Sequence, residues 1–307
     1  MKIKKFPYYP GCTLKQTAKN FEKSAMGTAN YLGIELKELP RWNCCGAVFS
    51  LTSDDVMHQV AAIRNLIRVQ EMNDSGMLDN EYHLVVLCSM CFNVLKRANI
   101  FVTKDAETLF KINEFMDEEP DYEGTVEITH FLEILRDFMG FEKIKEKVVQ
   151  SLYGLKVSAY YGCTLLRPRE IGIDDPEAPT IMEELIASLG ATPIDNHYKS
   201  LCCGSYHTVG KDKDIVARRT YKIIEGAREN GADIIITSCP LCAFNLDNRQ
   251  KLSKKIYPDF QYMPVLYFTQ LMALAFGKEE EAGFEGNYID PYPVLEKRDL
   301  IHNLKVR

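Results

Sequence analysis

The chain has 307 residues, of which 46% are hydrophobic and 26% are charged, an ordinary composition for a globular protein. Its length predicts about two domains, each large enough to fold without cross-links. The net charge of −6 argues against a nucleic-acid-binding protein, because such proteins usually carry a basic excess. We therefore expect no nucleic-acid partner.

Neither end of the chain predicts a targeting or membrane-spanning segment. The N-terminal stretch MKIKKFPYYPGC is basic and lacks the apolar run of a signal peptide. The most apolar late stretch, MPVLYFTQLMALAFG, is too short to span a bilayer and is interrupted by Thr269 and Gln270. We expect a cytoplasmic protein with reduced thiols, so its ten cysteines need a role other than disulfide formation.

The first half of the chain predicts alternating strands and helices. A strand, FPYY, ends before Cys12, and a helix is predicted over 14–32, where Gly33 suits the C-terminal cap. A short strand then leads to the CCG at 44–46. The next helix is predicted from apolar residues at helical spacing, namely Val56, Val60, Ile63 and Ile67. The buried strand LVVL follows, and TVEITHFLEILRDF forms the last strand–helix pair.

The second half predicts the same order of elements. A strand, VSAYY, precedes Cys163, a helix over 180–189 is closed by Gly190, and a short strand leads to the CCG at 202–204. The amphipathic helix is predicted from Val216, Thr220, Ile223 and Ala227. The strand IIIT and the strand–helix pair MPVLYFTQLMALAF complete the half.

This alternation predicts an α/β fold with two tandem, pseudo-equivalent domains. Each domain is expected to form a small parallel sheet flanked by helices, with its cysteines at the strand ends. The predicted N-terminal domain spans 1–150 and the predicted C-terminal domain spans 151–277, with the boundary near the charged helix EKIKEKVVQ. Residues 278–307 are expected to form an extended C-terminal tail on the surface.

All ten cysteines belong to a tandem duplication. The sequence YYPGCTLK at 8–15 parallels YYGCTLLR at 160–167, and HLVVLCSMC at 83–91 parallels IIITSCPLC at 234–242. A Phe-Asn pair follows closely in both halves. Such a duplication is a more specific signal than any single motif. The first set is Cys12, Cys44, Cys45, Cys88 and Cys91, and the second is Cys163, Cys202, Cys203, Cys239 and Cys242.

The predicted positions of the cysteines point to metal ligation or to a reactive thiolate. Ligands of open parallel sheets bind beyond the carboxyl ends of the strands, so the five thiols of each half can converge on one crevice. A structural zinc site uses four ligands, and the adjacent Cα atoms of Cys44 and Cys45 lie only ~3.8 Å apart. The pattern therefore favours an iron–sulfur assembly of several irons, with zinc in at least one half as the alternative.

The pattern C-x31-CCG-x41-C-x-x-C and its copy C-x38-CCG-x34-C-x-x-C resemble the duplicated cysteine-rich CCG domain. Chains built from two such domains resemble the B subunit of the heterodisulfide reductases of methanogenic archaea, and the resemblance covers Tyr8 to about Phe276. It implies that each set of five cysteines holds a noncubane [4Fe–4S] cluster. It also implies that the mixed disulfide of coenzyme M and coenzyme B is reduced to two thiols between the clusters, in methanogenesis.

The chain lacks any visible motif for taking up electrons by itself. It has neither the C-x2-C-x2-C-x3-C-P run of ferredoxins nor a Gly-rich dinucleotide fingerprint. We therefore expect a partner that delivers electrons. The resemblance implies two partners from heterodisulfide reductase, namely the C subunit, which carries cubane iron–sulfur clusters, and the A subunit, a flavoprotein. The flavoprotein links the complex to a hydrogenase or a formate dehydrogenase.

The resemblance also implies a substrate with a sulfonate and a phosphate, which fixed cations would bind. The cations nearest the motifs are Lys15, Arg41, Arg167, Arg169 and Lys199. His207 is the candidate proton donor, because histidine titrates near neutrality and no histidine stands at the equivalent Phe49. Trp42 is expected either to line the substrate pocket or to pack beside it.

Two other functions stay open. One is a CCG-type iron–sulfur subunit of a glycolate or lactate oxidase, or of a thiol–fumarate reductase. The absent ferredoxin motif and the two complete cysteine sets favour the disulfide reductase over this class. The other is a zinc-stabilised scaffold that assembles a complex without catalysing a reaction.

Overall fold

Two parallel sheets of four strands organise the chain, as seen in a computed structural model that describes residues 3–47, 55–208, 210 and 212–301. The strand orders are β2-β1-β3-β4 and β6-β5-β7-β8, and every neighbouring pair is parallel. The predicted α/β fold with two pseudo-equivalent sheets is thus confirmed. The strands are β1 (Lys4–Tyr9), β2 (Ile34–Glu38), β3 (His83–Val86), β4 (Glu127–His130), β5 (Lys156–Tyr160), β6 (Thr192–Ile194), β7 (Ile234–Thr237) and β8 (Val265–Tyr267).

Helices connect the strands and cover the sheets. The first half contains α1 (Gly11–Gln16), α2 (Lys19–Tyr31), α3 (Val60–Asp74), α4 (Ser89–Thr103), α5 (Ala106–Phe115), α6 (Phe131–Glu133) and α7 (Phe141–Glu146). The second half contains α8 (Ile181–Ser188), α9 (Lys213–Glu229), α10 (Pro240–Ala243), α11 (Gln250–Ile256), α12 (Phe268–Ala275), α13 (Glu279–Ala282) and α14 (Tyr292–Lys297). Short 3-10 turns span Val56–Gln59, Ser205–His207 and Phe284–Gly286, and π-helical turns span Ile134–Met139 and Phe244–Asn248.

The helix predicted over 14–32 is divided in two in the structure. The N–H groups of Thr17 and Ala18 both donate to the carbonyl of Thr13, which ends α1. Ala18 then leaves the helical region at φ −119° and ψ 42°, and α2 begins at Lys19. The predicted cap at Gly33 is confirmed by its φ of +78°, a left-handed conformation that suits glycine.

The two halves pack together through an aromatic contact between α2 and α12. The rings of Phe21 and Tyr267 are stacked with their centroids 4.1 Å apart, and the Phe21 ring also meets the edge of Phe268. Beside them, the buried hydroxyls of Ser24 and Thr269 are hydrogen-bonded at 2.6 Å. The interface between the halves is therefore a buried core with its polar groups paired.

The tail differs from the extended segment that was expected after residue 277. Its described part, 278–301, contains α13 and α14, and the Phe284 side chain is buried. The Asp247 carboxylate, just after the second cysteine set, accepts the N–H groups of Tyr288 and Ile289 at 2.7 and 2.9 Å. Apolar burial and this anchor hold the tail against the second half. The domain boundaries themselves stay a prediction.

Truncating the stacked ring at the interface should destabilise the whole chain. Phe21→Ala removes a fully buried ring, and we expect it to lower the free energy of unfolding by about 3–5 kcal/mol. Urea unfolding followed by circular dichroism measures this change. Tyr153→Ala is the control, because the Tyr153 side chain is 86% exposed and should contribute less than about 0.5 kcal/mol. Equal effects of the two substitutions would contradict the proposed role of the interface.

Candidate metal centres

Both cysteine sets lie at the carboxyl ends of the strands, as predicted. Cys12 stands in the first turn of α1, directly after β1, and Cys88 precedes α4 at the end of β3. In the second half, Cys163 follows β5 and Cys239 precedes α10. The central strands of each parallel sheet therefore deliver their cysteines to one edge.

The first set forms a continuous group of thiols. The Sγ atoms of Cys12 and Cys44 lie 4.0 Å apart, and those of Cys45 and Cys91 lie 3.6 Å apart. Hydrogen bonds also join Cys44 to Cys45 and Cys88 to Cys91. Cys12 and Cys44 are exposed and the other three are buried, so the group opens to solvent at one end.

The second set repeats this arrangement with less exposure. The Sγ atoms of Cys203 and Cys242 lie 3.6 Å apart, and hydrogen bonds join Cys163 to Cys202 and Cys239 to Cys242. Cys163 and Cys202 are half-buried, whereas their counterparts in the first set are exposed. The two halves thus build similar groups of five thiols with unequal access to water.

The two sets meet at the interface between the halves. The buried thiols of Cys88 and Cys239 are hydrogen-bonded to each other. Next to them, the hydroxyls of Ser89 and Ser238 lie 2.7 Å apart, and the Ser89 N–H donates to the Ser238 carbonyl at 3.4 Å. Sequence reasoning placed one crevice in each half and did not predict this contact. All ten thiols therefore belong to one connected group.

Two asparagines after the C-x-x-C motifs hold the site, and sequence reasoning did not identify them as site residues. Asn245 donates through Nδ2 to the carbonyl and the Sγ of Cys203, at 3.2 and 3.5 Å. Asn93 instead crosses the interface and donates to the carbonyls of Thr164 and Arg167, at 2.7 and 2.8 Å. The Phe-Asn pair shared by the two halves was the available signal.

Hydrogen bonds between the thiols set their ionisation. Hydrogen bonds from Cys44 and Cys91 lower the pKa of Cys45 to about 4, and a hydrogen bond from Cys163 lowers the pKa of Cys202 to about 5. The hydrogen bond to Cys45 conversely raises the pKa of Cys91. Each set therefore contains at least one thiolate at neutral pH, the form that binds metal.

The donor set fits a group that binds through sulfur. Soft thiolates are the ligands of iron–sulfur clusters and of zinc. However, among the described residues no group of three or more His, Cys, Asp or Glu side chains is placed to hold a metal ion. The thiols instead contact one another in pairs, so the geometry gives no support to a single zinc ion.

The five predicted substrate-binding cations all lie against carboxylates. Their role in substrate binding stays a prediction, and it would require each cation to exchange its carboxylate for the substrate. The pairs are Lys15 with Glu22 (2.7 Å) and Glu38 (2.6 Å), Arg41 with Glu71 (2.8 Å), Arg167 with Glu177 (3.0 Å), Arg169 with Asp175 (3.5 Å), and Lys199 with Glu183 (2.9 Å) and Asp195 (3.2 Å).

His207 is exposed in the short turn Ser205–His207, which follows the second CCG directly. Its role as a proton donor stays a prediction, and Phe49, with which it was compared, lies outside the described residues. Trp42 packs edge-on against the Tyr9 ring at 6.0 Å and donates its Nε1–H to Glu38. These contacts place Trp42 in a packing position beside the first set.

Comparison with protein families identifies the class of the chain. The family model of the CCG cysteine-rich domain matches residues 6–96 and again residues 157–247, which together make up more than half of the chain. Each match includes all five cysteines of one set. This protein belongs to the CCG cysteine-rich domain family.

Several characterised relatives are subunits of reductases with more than one subunit. The chain is 34% identical to the 8-methylmenaquinol:fumarate reductase membrane anchor subunit of Wolinella succinogenes, over 94% of this chain and 98% of that protein. It is 30% identical to the B subunit of the ferredoxin/F420H2-dependent CoB-CoM heterodisulfide reductase of Methanosarcina acetivorans, over 95% and 96%. A protein of Archaeoglobus profundus that is described as like the heterodisulfide reductase B subunit is 29% identical, over 96% and 98%.

The fold also resembles that of a hypothetical protein from Helicobacter pylori, with a TM-score of 0.70 and 14% identity. The match covers 93% of this chain and 52% of that one, so this chain spans about half of its length. Across the described ranges, none of the helices has the length and apolar content needed to cross a membrane.

A methyl group added beside the second set should impair metal binding. In Gly162→Ala the new Cβ would lie 3.1 Å from the Cys242 Sγ, at a backbone φ of +68°. We expect roughly half of the bound metal to be lost, because one of the two sets is disturbed. Metal per chain, measured by mass spectrometry of the purified protein, checks this expectation.

The matched control is Gly154→Ala, which has a similar φ of +87° but no atom within 4 Å of its new Cβ. It carries the same left-handed backbone strain, about 1 kcal/mol, without the contact to a thiol. Equal metal content in the two variants would show that the approach of Gly162 to Cys242 is unimportant.

Proposed function

We propose that this chain is the iron–sulfur subunit of a multi-subunit reductase that cleaves a small-molecule disulfide. The proposed substrate is the mixed disulfide of coenzyme M and coenzyme B, reduced to its two thiols in methanogenesis. The contact between the two sets at Cys88 and Cys239 is the observation that carries this proposal. A disulfide offers two sulfur atoms and takes up two electrons, and two adjoining centres supply both needs at one place.

The proposed ligands are the two sets of five cysteines, each holding one noncubane [4Fe–4S] cluster. The bound clusters would supply one-electron transfer and iron sites that attract substrate sulfur. The chain itself provides thiolates at Cys45 and Cys202, whose pKa values are lowered by neighbouring thiols. Asn245 stabilises negative charge on the Cys203 sulfur through its N–H group.

The net reaction consumes two electrons and two protons, and it breaks one S–S bond to form two S–H bonds. His207 is the proposed proton donor, because its exposed ring beside the second CCG can be reprotonated from water. The electrons are proposed to come from a partner with cubane iron–sulfur clusters and from a flavoprotein partner, linked to a hydrogenase or a formate dehydrogenase. The proposed location is the cytoplasm, where thiols stay reduced.

A second candidate is an iron–sulfur subunit in a reductase that acts on fumarate. The 34% identity to the Wolinella succinogenes protein favours it, since this value exceeds the 30% identity to the Methanosarcina acetivorans protein. The Wolinella relative is named for 8-methylmenaquinol and fumarate rather than for a disulfide. The two candidates share the iron–sulfur centres and differ in the molecule that meets them.

Metal analysis and electron paramagnetic resonance of anaerobically purified protein test the proposal. We expect about eight irons per chain, four for each of two clusters. The spectrum should change on addition of coenzyme M or the mixed disulfide, and it should be unaffected by 8-methylmenaquinol. A response to the quinol alone would favour the second candidate, while zinc in both halves with only trace iron would exclude both.

Removing one central cysteine separates the two proposed centres. Cys203 contacts Cys242 in the second set, so Cys203→Ser should reduce the iron from about eight to about four per chain. Cys45→Ser is the mirror-image variant, because Cys45 contacts Cys91 in the first set. The remaining signal should belong to a different centre in each variant. Loss of all iron from a variant that still folds would show that the two sets share a single group.

A further inference from the structure

Helix α9 of the second half has two faces of different character. Its inner face is the predicted apolar one, and Val216, Thr220, Ile223 and Ala227 are all buried. Its outer face presents exposed residues at positions i, i+3, i+4 and i+7, which lie on one side of a helix. These residues are Ile215, Arg218, Arg219 and Lys222. The outer face therefore combines three cations with one exposed apolar side chain.

The cations of this face are not neutralised by carboxylates. In the ranges that the structure describes, no acidic side chain forms an ion pair with Arg218 or Arg219, although Asp214 lies one turn before Arg218. Lys222 lies over the ring of Tyr198, with its Nζ 5.3 Å from the ring centre. The cations near the cysteine motifs are each paired, as described above. In a chain of net charge −6, this face forms a local region of positive potential.

Aromatic side chains border the same face. Arg218, Arg219 and Lys222 line an open cleft of about 410 Å³ together with Tyr221 and Tyr257. The two tyrosine rings are stacked, with their centroids 3.7 Å apart. Arginine and tyrosine are the side chains most enriched where proteins contact one another. The surface therefore has the composition of a protein-binding site with a basic centre.

The face borders the second cysteine set. A Cβ placed on Gly204, directly after Cys203, would lie 3.8 Å from the Val216 Cα and 3.9 Å from the Arg219 Cγ. Arg219 also contributes to the lowered pKa of Cys202. Tyr206, whose side chain is 49% exposed, follows in the next turn of the chain. A protein bound to α9 would therefore lie against the wall of the second centre.

We propose that the outer face of α9 is the docking surface for an acidic iron–sulfur electron carrier that reduces the second centre. This inference rests on the proposed function. One electron passes at each encounter, so the reduced carrier is oxidised as the centre is reduced. The cations extend over two helical turns, about 10 Å, and stand in the open rather than around a closed pocket. This spread suits a charged protein surface better than a small anion, and redox partners typically meet through small contacts.

Reversing the charge of the face tests the inference. The variant Arg218→Glu/Lys222→Glu leaves Arg219 intact, because Arg219 adjoins the thiols. The probe is reduced plant-type [2Fe–2S] ferredoxin, an acidic protein, and stopped-flow absorbance follows reduction of the iron-loaded chain. We expect the second-order rate constant to fall about tenfold or more at low ionic strength, and the difference to shrink as salt is added. Reduction by dithionite should be unchanged.

Lys143→Glu/Lys145→Glu on α7 is the matched control, since it makes the same change in net charge at exposed positions elsewhere. It should reduce as fast as the unaltered chain. Equal rates for the two double variants would overturn the docking surface and leave the proposed function standing. Inhibition of the unaltered chain by inorganic phosphate at constant ionic strength, absent from the Arg218→Glu/Lys222→Glu variant, would also overturn it in favour of a small-anion site.

A binding measurement separates the docking surface from the presence of iron. Calorimetric titration with oxidised ferredoxin requires no cluster in the chain. Weaker binding by the Arg218→Glu/Lys222→Glu variant alone supports the docking surface even where iron analysis rejects the proposed function. Equal binding by all three proteins overturns it.

Discussion

The buried contact between the two C-x-x-C motifs determines how the halves of this protein fit together. Ser89 and Ser238 satisfy each other's hydroxyl groups at the same seam where Cys88 meets Cys239. Buried polar groups are costly when they are unpaired, by about 1–3 kcal/mol each. A shift of one half along the other would leave these groups without partners. The seam therefore selects one arrangement, and the stacked rings of α2 and α12 add apolar area to it.

The same seam makes the thiol chemistry collective. Thiols in contact cannot all ionise, because each new negative charge disfavours the next. One thiolate in each set is stabilised by its neighbours, while Cys91 and Cys242 are held protonated. A bound metal group relieves this constraint, since it stabilises further thiolates. The site is thus built to gain from a multivalent positive group.

Duplication has produced two centres that are alike in ligands and different in surroundings. Asn245 donates to a sulfur of its own set, whereas Asn93 crosses the seam to hold the loop after Cys163. The second set is also less exposed, and it alone borders the basic face of α9. Hydrogen bonding to sulfur and solvent exposure are among the factors that tune iron–sulfur centres. The two halves therefore offer unequal environments to whatever they bind.

Much of this architecture follows from the sequence alone. The strand–helix alternation determines the parallel sheets, and cysteines placed at strand ends must collect at one edge of each sheet. The periodicity of α9 shows which face is buried. It does not show what covers that face, because a pattern of apolar residues carries no information about its partner. Local signals were thus sufficient for the elements and for the grouping of five thiols in each half.

Only the tertiary structure decided how distant segments meet. The hydrogen bond between Ser24 and Thr269 joins residues 245 positions apart, and no local pattern encodes such a pair. The same holds for the junction of the two cysteine sets, the folding of the tail onto Asp247, and the pairing of Arg41 with Glu71. Which cations remain available to a partner depends on such pairings. The physical reason is that packing and charge neutralisation are properties of the assembled surface, whereas the sequence determines the elements that form it.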